Sequence, residues 1–152
     1  MPVVLGKYYE DFEIGQELKT LGRTVTEADI VNFSGFSGDF NPLHTDAEYA
    51  AAQSFGGRIA HGMCGFSIAV GLLVRLNILE GTILAFFGIE NWRFKAPIMI
   101  NDTIHVVAIV AGKKETSKAD RGLVFFDLDV FNQKGDSVMG GRLMTMMLRK
   151  ME

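Results

Sequence analysis

The sequence predicts an α+β fold in which one long buried helix, preceded by short helices, lies against an antiparallel sheet of about five strands. Two observations carry this reading. Gly62 to Leu79 is a nearly continuous apolar run. From Thr82 onward the texture changes to segments rich in β-branched and aromatic residues, separated by turn formers. A third sets the scale: the 152 residues show no internal repeat, linker or low-complexity tract. The expectation is therefore one domain over residues 1–152, long enough to bury a core without a disulfide or a metal.

Met1 to Leu21 is mixed, with Tyr8, Tyr9 and Phe12 ahead of Gly15, and reads as a leading segment followed by a strand from about Glu17. Thr26 is a hydroxyl cap with the Asp29 carboxylate following it, a variant of the capping box; Ile30 and Phe33 share one face of the helix it starts, which should run to about Ser34. Gly35 to Leu43 brings Gly, Ser, Asp, Asn and Pro in quick succession, which suits a loop. Asp46 can cap a second short helix from Ala47 to about Gln53, ended by Gly56-Gly57. The apolar run after it approaches membrane-spanning length, but Arg75 and Asn77 interrupt it, and Gly62, Gly65 and Gly71 thin it. It reads as a buried helix, and no membrane partner is expected. Strands are predicted at 83–94, 103–112, 123–131 and 138–149, as sequential antiparallel hairpins turning at Asn101-Asp102, Lys118-Ala119-Asp120 and Asn132-Gln133-Lys134-Gly135.

Composition excludes some partners. Hydrophobic residues are 48%, charged residues 22%, and the net charge is -3, the balance of a soluble globular protein with no electrostatic reason to bind nucleic acid. A single cysteine, Cys64, and no basic-apolar leader make a reducing cytoplasm the default compartment. Twelve phenylalanines and eight methionines exceed what a domain this size usually needs. Part of that inventory can cover a subunit interface, which motivates an oligomer.

Asp39 and His44 are the first candidates for chemistry. They stand five residues apart across a segment that Pro42 stiffens, and Asn41 can hydrogen-bond its own backbone there. A carboxylate beside an imidazole suits general acid-base work and can share one ordered water. The competing reading makes Asp39 and Asn41 turn residues and His44 a helix cap, and spacing alone leaves both open. The second feature is Ala60-His61-Gly62-Met63 at the start of the long helix. The first N–H groups of a helix lack intrahelical partners, and Gly62 lets a ligand approach one that could polarise a thioester carbonyl. Alternatively His61 caps the helix and Gly62 serves packing; the two readings are compatible. Together the features offer what hydration of an α,β-unsaturated thioester needs, a base, an acid and an oxyanion donor, with no cofactor required. Three dispersed histidines argue against a metal, and Cys64, inside an apolar helix, against a thiol nucleophile.

The segment Phe36-Ser37-Gly38-Asp39-Phe40-Asn41-Pro42-Leu43-His44, with Ala50 following, resembles the hydratase motif of the MaoC-like, R-specific enoyl-CoA hydratases. The resemblance extends over Arg58 to Met63, Trp92 to Pro97 and Asn101 to Thr103. It implies a hotdog fold, a long antiparallel sheet wrapped around a central helix, and a homodimer, or an assembly of dimers, with active sites at the subunit interface. It further implies Asp39 and His44 as the catalytic pair, Gly62 as the oxyanion donor and Asn41 as an orienting residue; His61, Met63 and Ser67 are further candidates for orienting or binding the substrate. Some members place a hydroxyl farther along the central helix; the aligned position here is Val70, with Ser67 nearby. The implied reaction is reversible syn addition of water to a trans-2-enoyl thioester, giving the R-3-hydroxyacyl thioester. Two rivals stand beside it: a hotdog thioesterase, against which the Asn41 to His44 tail argues, and a non-catalytic acyl-CoA-binding subunit, against which the intact Asp39 and His44 argue.

Overall fold

Alternation of side chains decides where the sheet meets the core. On β4 (Thr103–Glu115) Ile104, Val106, Ala108 and Val110 are buried, and on β5 (Arg121–Phe131) Val124, Phe126, Leu128 and Val130 are buried. Leu143, Thr145 and Met147 continue the same face on β6 (Ser137–Leu148). Period-two burial of this kind gives an antiparallel sheet with one covered face. The computed structural model describes residues 4–151, so the first three residues of the leading segment and residue 152 lie outside the described residues.

The six-stranded sheet has the order β1-β4-β5-β6-β3, where β1 is Glu17–Lys19 and β3 is Ile83–Phe94; the short β2 (Arg23–Thr24) pairs with β4 off this path. All pairings are antiparallel. β4, β5 and β6 form the expected consecutive hairpins, but β3 pairs with β6 on the opposite edge instead of with β4. The connection after β3 is the cause. Lys95 and Ala96 donate to the Val138 carbonyl at 2.8 and 3.1 Å, keeping the chain beside β6, and Asn101, at φ +71°, makes the turn into β4 only after the chain has crossed the end of the sheet.

The helices are α1 (Glu27–Ser37), α2 (Pro42–Thr45), α3 (Ala47–Ala51) and α4 (Gly62–Val74), with a 3-10 turn at Tyr9–Asp11 that the sequence did not announce. At the start of α1 the Asp29 carboxylate accepts the Thr26 N–H at 2.8 Å. α1 continues past Ser34 to Ser37 because Gly38, at φ +77°, provides the left-handed cap that ends it. The expected loop is also interrupted, since Pro42 to Thr45 form one helical turn capped by Asn41. α4 buries Cys64, Gly65, Phe66, Ala69, Leu72 and Leu73 between the sheet and α1. It stops at Val74, short of Leu79, where Asn77 takes a left-handed conformation at φ +54° and Ile78 and Leu79 turn into the core. No helix among the described residues is long and apolar enough to cross a membrane.

Candidate active site

The left-handed Gly38 turns the chain out of α1, and two local hydrogen bonds shape the turn that leads into α2. The Asp39 carboxylate accepts the Asn41 N–H at 3.2 Å through Oδ1, and the Asn41 side chain accepts the Leu43 N–H at 3.0 Å. Pro42, as the first residue of α2, loses no hydrogen bond there. This succession of side-chain-to-backbone contacts, readable in the residue types, places Asp39 and His44 on the same side of the turn.

His44 is fixed by a partner the sequence did not reveal. Its Nδ1 lies 2.8 Å from the Ile59 carbonyl oxygen. A carbonyl can only accept, so Nδ1 carries the proton and donates, which leaves Nε2 as the nitrogen free to accept. The chain holding Ile59 is itself anchored: the Ile59 N–H donates to Leu43 at 3.2 Å and the Ala60 N–H to Ile98 at 2.8 Å. His61 is buried and its ring stacks on His44 at a centroid distance of 3.8 Å, while Phe33 leans on it at 4.9 Å. One side-chain donor atom from each of Asp39, His44 and His61 lies within 4.8 Å of the other two. Two imidazoles inclined by only 30° direct their in-plane lone pairs side by side, which is a poor geometry for converging on one metal ion.

Gly62 opens α4, where its N–H has no intrahelical partner. A Cβ at this position would lie 2.9 Å from the Phe94 ring, so glycine is what lets the ring and the helix start sit together. Phe94 comes from the end of β3, whose register slips between Glu90 and Arg93, and a slip of this kind re-aims the side chains beyond it. Phe33, Ser37, Asp39, His44, His61, Gly62, Met63 and Phe94 line one cavity of about 520 Å³.

The structure thus brings Asp39, His44, His61, Gly62 and Met63 to one cavity. Asn41 stands behind it, supporting the turn. Ser67 is not brought there: it lines the adjoining groove between α1 and α4, and its hydroxyl donates to the Met63 carbonyl at 2.8 Å. Val70 faces the sheet side of α4 beside Leu73 and Phe86. Sequence reasoning missed Phe33, Ser34, Ile59 and Phe94, of which Ser34 reaches His61 at 3.2 Å. A hydroxyl at a core-facing position of α1 was the only signal for it. Cys64 is buried, and burial, reinforced by the Asp29 charge, pushes its thiol up, away from the reactive thiolate.

The model of the MaoC like domain matches residues 11–124. Protein MaoC of Klebsiella aerogenes is 42% identical over 115 residues, which are 76% of this chain and 33% of that protein, so the chain spans about a third of its length. The (R)-specific enoyl-CoA hydratase of Rhodospirillum rubrum is 37% identical over 109 residues, covering 69% of this chain and 70% of that one. Among solved structures, the monoamine oxidase regulatory protein from Archaeoglobus fulgius superposes with a TM-score of 0.88 at 38% identity, over 96% of this chain and 97% of that chain. A Mycobacterium tuberculosis protein described as a double hotdog fold superposes at 0.85 over 98% of this chain and 46% of that one; at 19% identity it speaks for the fold alone, and the fold is a hotdog.

Proposed function

Because the chain belongs to the MaoC-like domain family, we propose that it is an (R)-specific enoyl-CoA hydratase, a hydro-lyase that adds water to a trans-2-enoyl thioester and removes it in reverse. The observation that carries the reading is the convergence of two acceptors and one donor on a single cavity. The acceptors are His44 Nε2 and the Asp39 carboxylate, and the donor is the Gly62 N–H.

A water between Asp39 and His44 has one hydrogen for each acceptor and keeps a lone pair for attack. As its oxygen bonds to C3, one of the pair takes a proton and the double-bond electrons move toward the thioester oxygen. The Gly62 N–H stabilises that charge. The enolate then collapses, C2 receives the proton from the same pair, and the product is the R-3-hydroxyacyl thioester. Either member of the pair faces the same water and can serve as the formal base. The substrate is an enoyl-CoA or another acyl thioester, and residues 1–152 act as one MaoC-like domain.

A homodimer completes the reading. β3 is an edge strand with exposed Leu84, Phe86, Phe87 and Ile89, and it ends on Phe94 in the cavity wall. A reduced, buried Cys64 suits a cytoplasmic protein.

The test uses crotonyl-CoA. Hydration removes the conjugated enoyl absorbance without releasing thiol, whereas a thioesterase releases thiol and a binding subunit does neither. Asp39→Asn should lower kcat by about two to four powers of ten, the range for a general acid or base. A folded Asp39→Asn protein turning over at the wild-type rate would sink the assignment.

A further inference from the structure

His61 is only 3% exposed, yet it touches both ends of the turn, Asp39 and His44. Its Nε2 lies 3.0 Å from the Asp39 backbone carbonyl and 3.2 Å from the Ser34 hydroxyl. Its face carries the His44 ring at 3.8 Å. The Asp39 carbonyl can only accept, so the geometry places the His61 proton on Nε2. Nδ1 is then a buried acceptor with no partner among the described residues. A proton moved to Nδ1 would have nothing to bond to and would leave Nε2 and the Asp39 carbonyl facing each other as two acceptors.

We propose that His61 is a positioning residue for the hydration proposed above, holding the Asp39 carbonyl through Nε2–H and serving as the plate on which His44 rests, with Ser34 steadying it from α1. Both of its ring nitrogens are engaged or enclosed within the protein, so it acts through Asp39 and His44 and not on the substrate. The consequence is geometric. The Asp39 carboxylate sits on a turn shaped by local hydrogen bonds, and His61 adds a tertiary contact to each of its two catalytic residues, to Asp39 through Nε2 and to His44 through its ring face. A displacement of about 1 Å between reacting groups is enough to cost about a hundredfold in rate.

Two variants separate the two contacts. His61→Phe keeps an aromatic plate and loses the donor; His61→Gln keeps a donor and loses the plate. On crotonyl-CoA, His61→Phe should lower kcat about ten- to a hundredfold with KM within about twofold. His61→Gln should recover part of that loss, and Ser34→Ala should show a smaller fall in kcat of the same kind. A folded His61→Phe protein with unchanged kcat, or with its loss carried by KM, would overturn the proposal. Imidazole nitrogen NMR of the wild-type protein tests it without substitution or turnover: a protonated Nε2 and bare Nδ1 on His61 are expected, and the opposite tautomer overturns it. If the wild type left crotonyl-CoA untouched, the proposed reaction would fail, while the tautomer would still report on the hold over Asp39.

Discussion

Gly62 combines two demands that most residues could not meet together. In the proposed reaction its N–H must stay open to the thioester oxygen, and the Phe94 ring rests only 2.9 Å from where a Cβ would sit. Alanine would improve the helix intrinsically by roughly 0.8–1 kcal/mol. Its methyl would push the half-exposed Phe94 ring aside, and that ring forms a wall of the cavity. Gly62→Ala should therefore leave the melting temperature within a few degrees of wild type while lowering kcat/KM on crotonyl-CoA about tenfold or more, because the N–H is retained but the methyl and the displaced ring disturb the thioester's approach to it. Melting and steady-state kinetics on the same preparation check both halves. At this scale much of the site is legible in the sequence. Asp39, Asn41 and His44 occur within one turn whose chemistry is local, and Gly62 opens the only long apolar run. Ser34, Ile59 and Phe94 are not legible, because each acts on a residue distant in the chain through tertiary contact.

Helix α1 bears on the site because it carries Phe33 and Ser34, and its first turn is secured electrostatically. Burial pushes the Asp29 carboxyl up, but the Thr26 N–H, the Arg23 guanidinium and the Thr26 hydroxyl outweigh it and hold the group below the ordinary carboxylate range. A carboxyl whose folded pKa is depressed contributes stability that is fully present above its unfolded value, about 3.9, and is lost as pH falls through the folded one. Wild-type stability should therefore fall below about pH 4 with a contribution from this group. Asp29→Asn should be less stable than wild type at pH 7 and converge toward it in acid, as urea titrations at a series of pH values would show. Helix α4 presents a different constraint. A Cβ on Gly65 would lie 2.7 Å from both the Ile98 and Met139 side-chain tips, so this face of the helix sits directly on the sheet. Gly65→Val should cost about 1–3 kcal/mol by overpacking, measurable by denaturant unfolding. The elements themselves were legible from caps and periodicity. Their ends were less so, because a left-handed Gly38 extended α1 and a left-handed Asn77 shortened α4.

For the whole molecule, the sequence indicates strands and a central helix but not which strand becomes the edge. Hairpin turns are local signals; the partner of β3 is set by the 95–102 crossing, whose course depends on contacts with Val138 and Val25 far along the chain. The resulting edge is unusual in what it exposes. Along β3 four apolar side chains, Leu84, Phe86, Phe87 and Ile89, are each 42–53% exposed, and the register shifts between Ile83 and Ala85 and between Phe86 and Gly88. An edge strand with unpaired backbone groups and exposed apolar side chains is a surface for pairing with a second strand, and a second copy of β3 is self-complementary for it. Burying the exposed part of several such side chains would contribute about 1 kcal/mol or more each. The protein should therefore sediment at twice the 16.8 kDa protomer mass at micromolar concentration, and Phe87→Glu should shift it toward the protomer. Because β3 ends on Phe94, in the wall of the candidate cavity, the same substitution should lower kcat/KM although Phe87 does not line that cavity. Sedimentation and kinetics measured across one dilution series decide the matter. If activity per subunit stays constant while the dimer dissociates, the partner contributes nothing to the site.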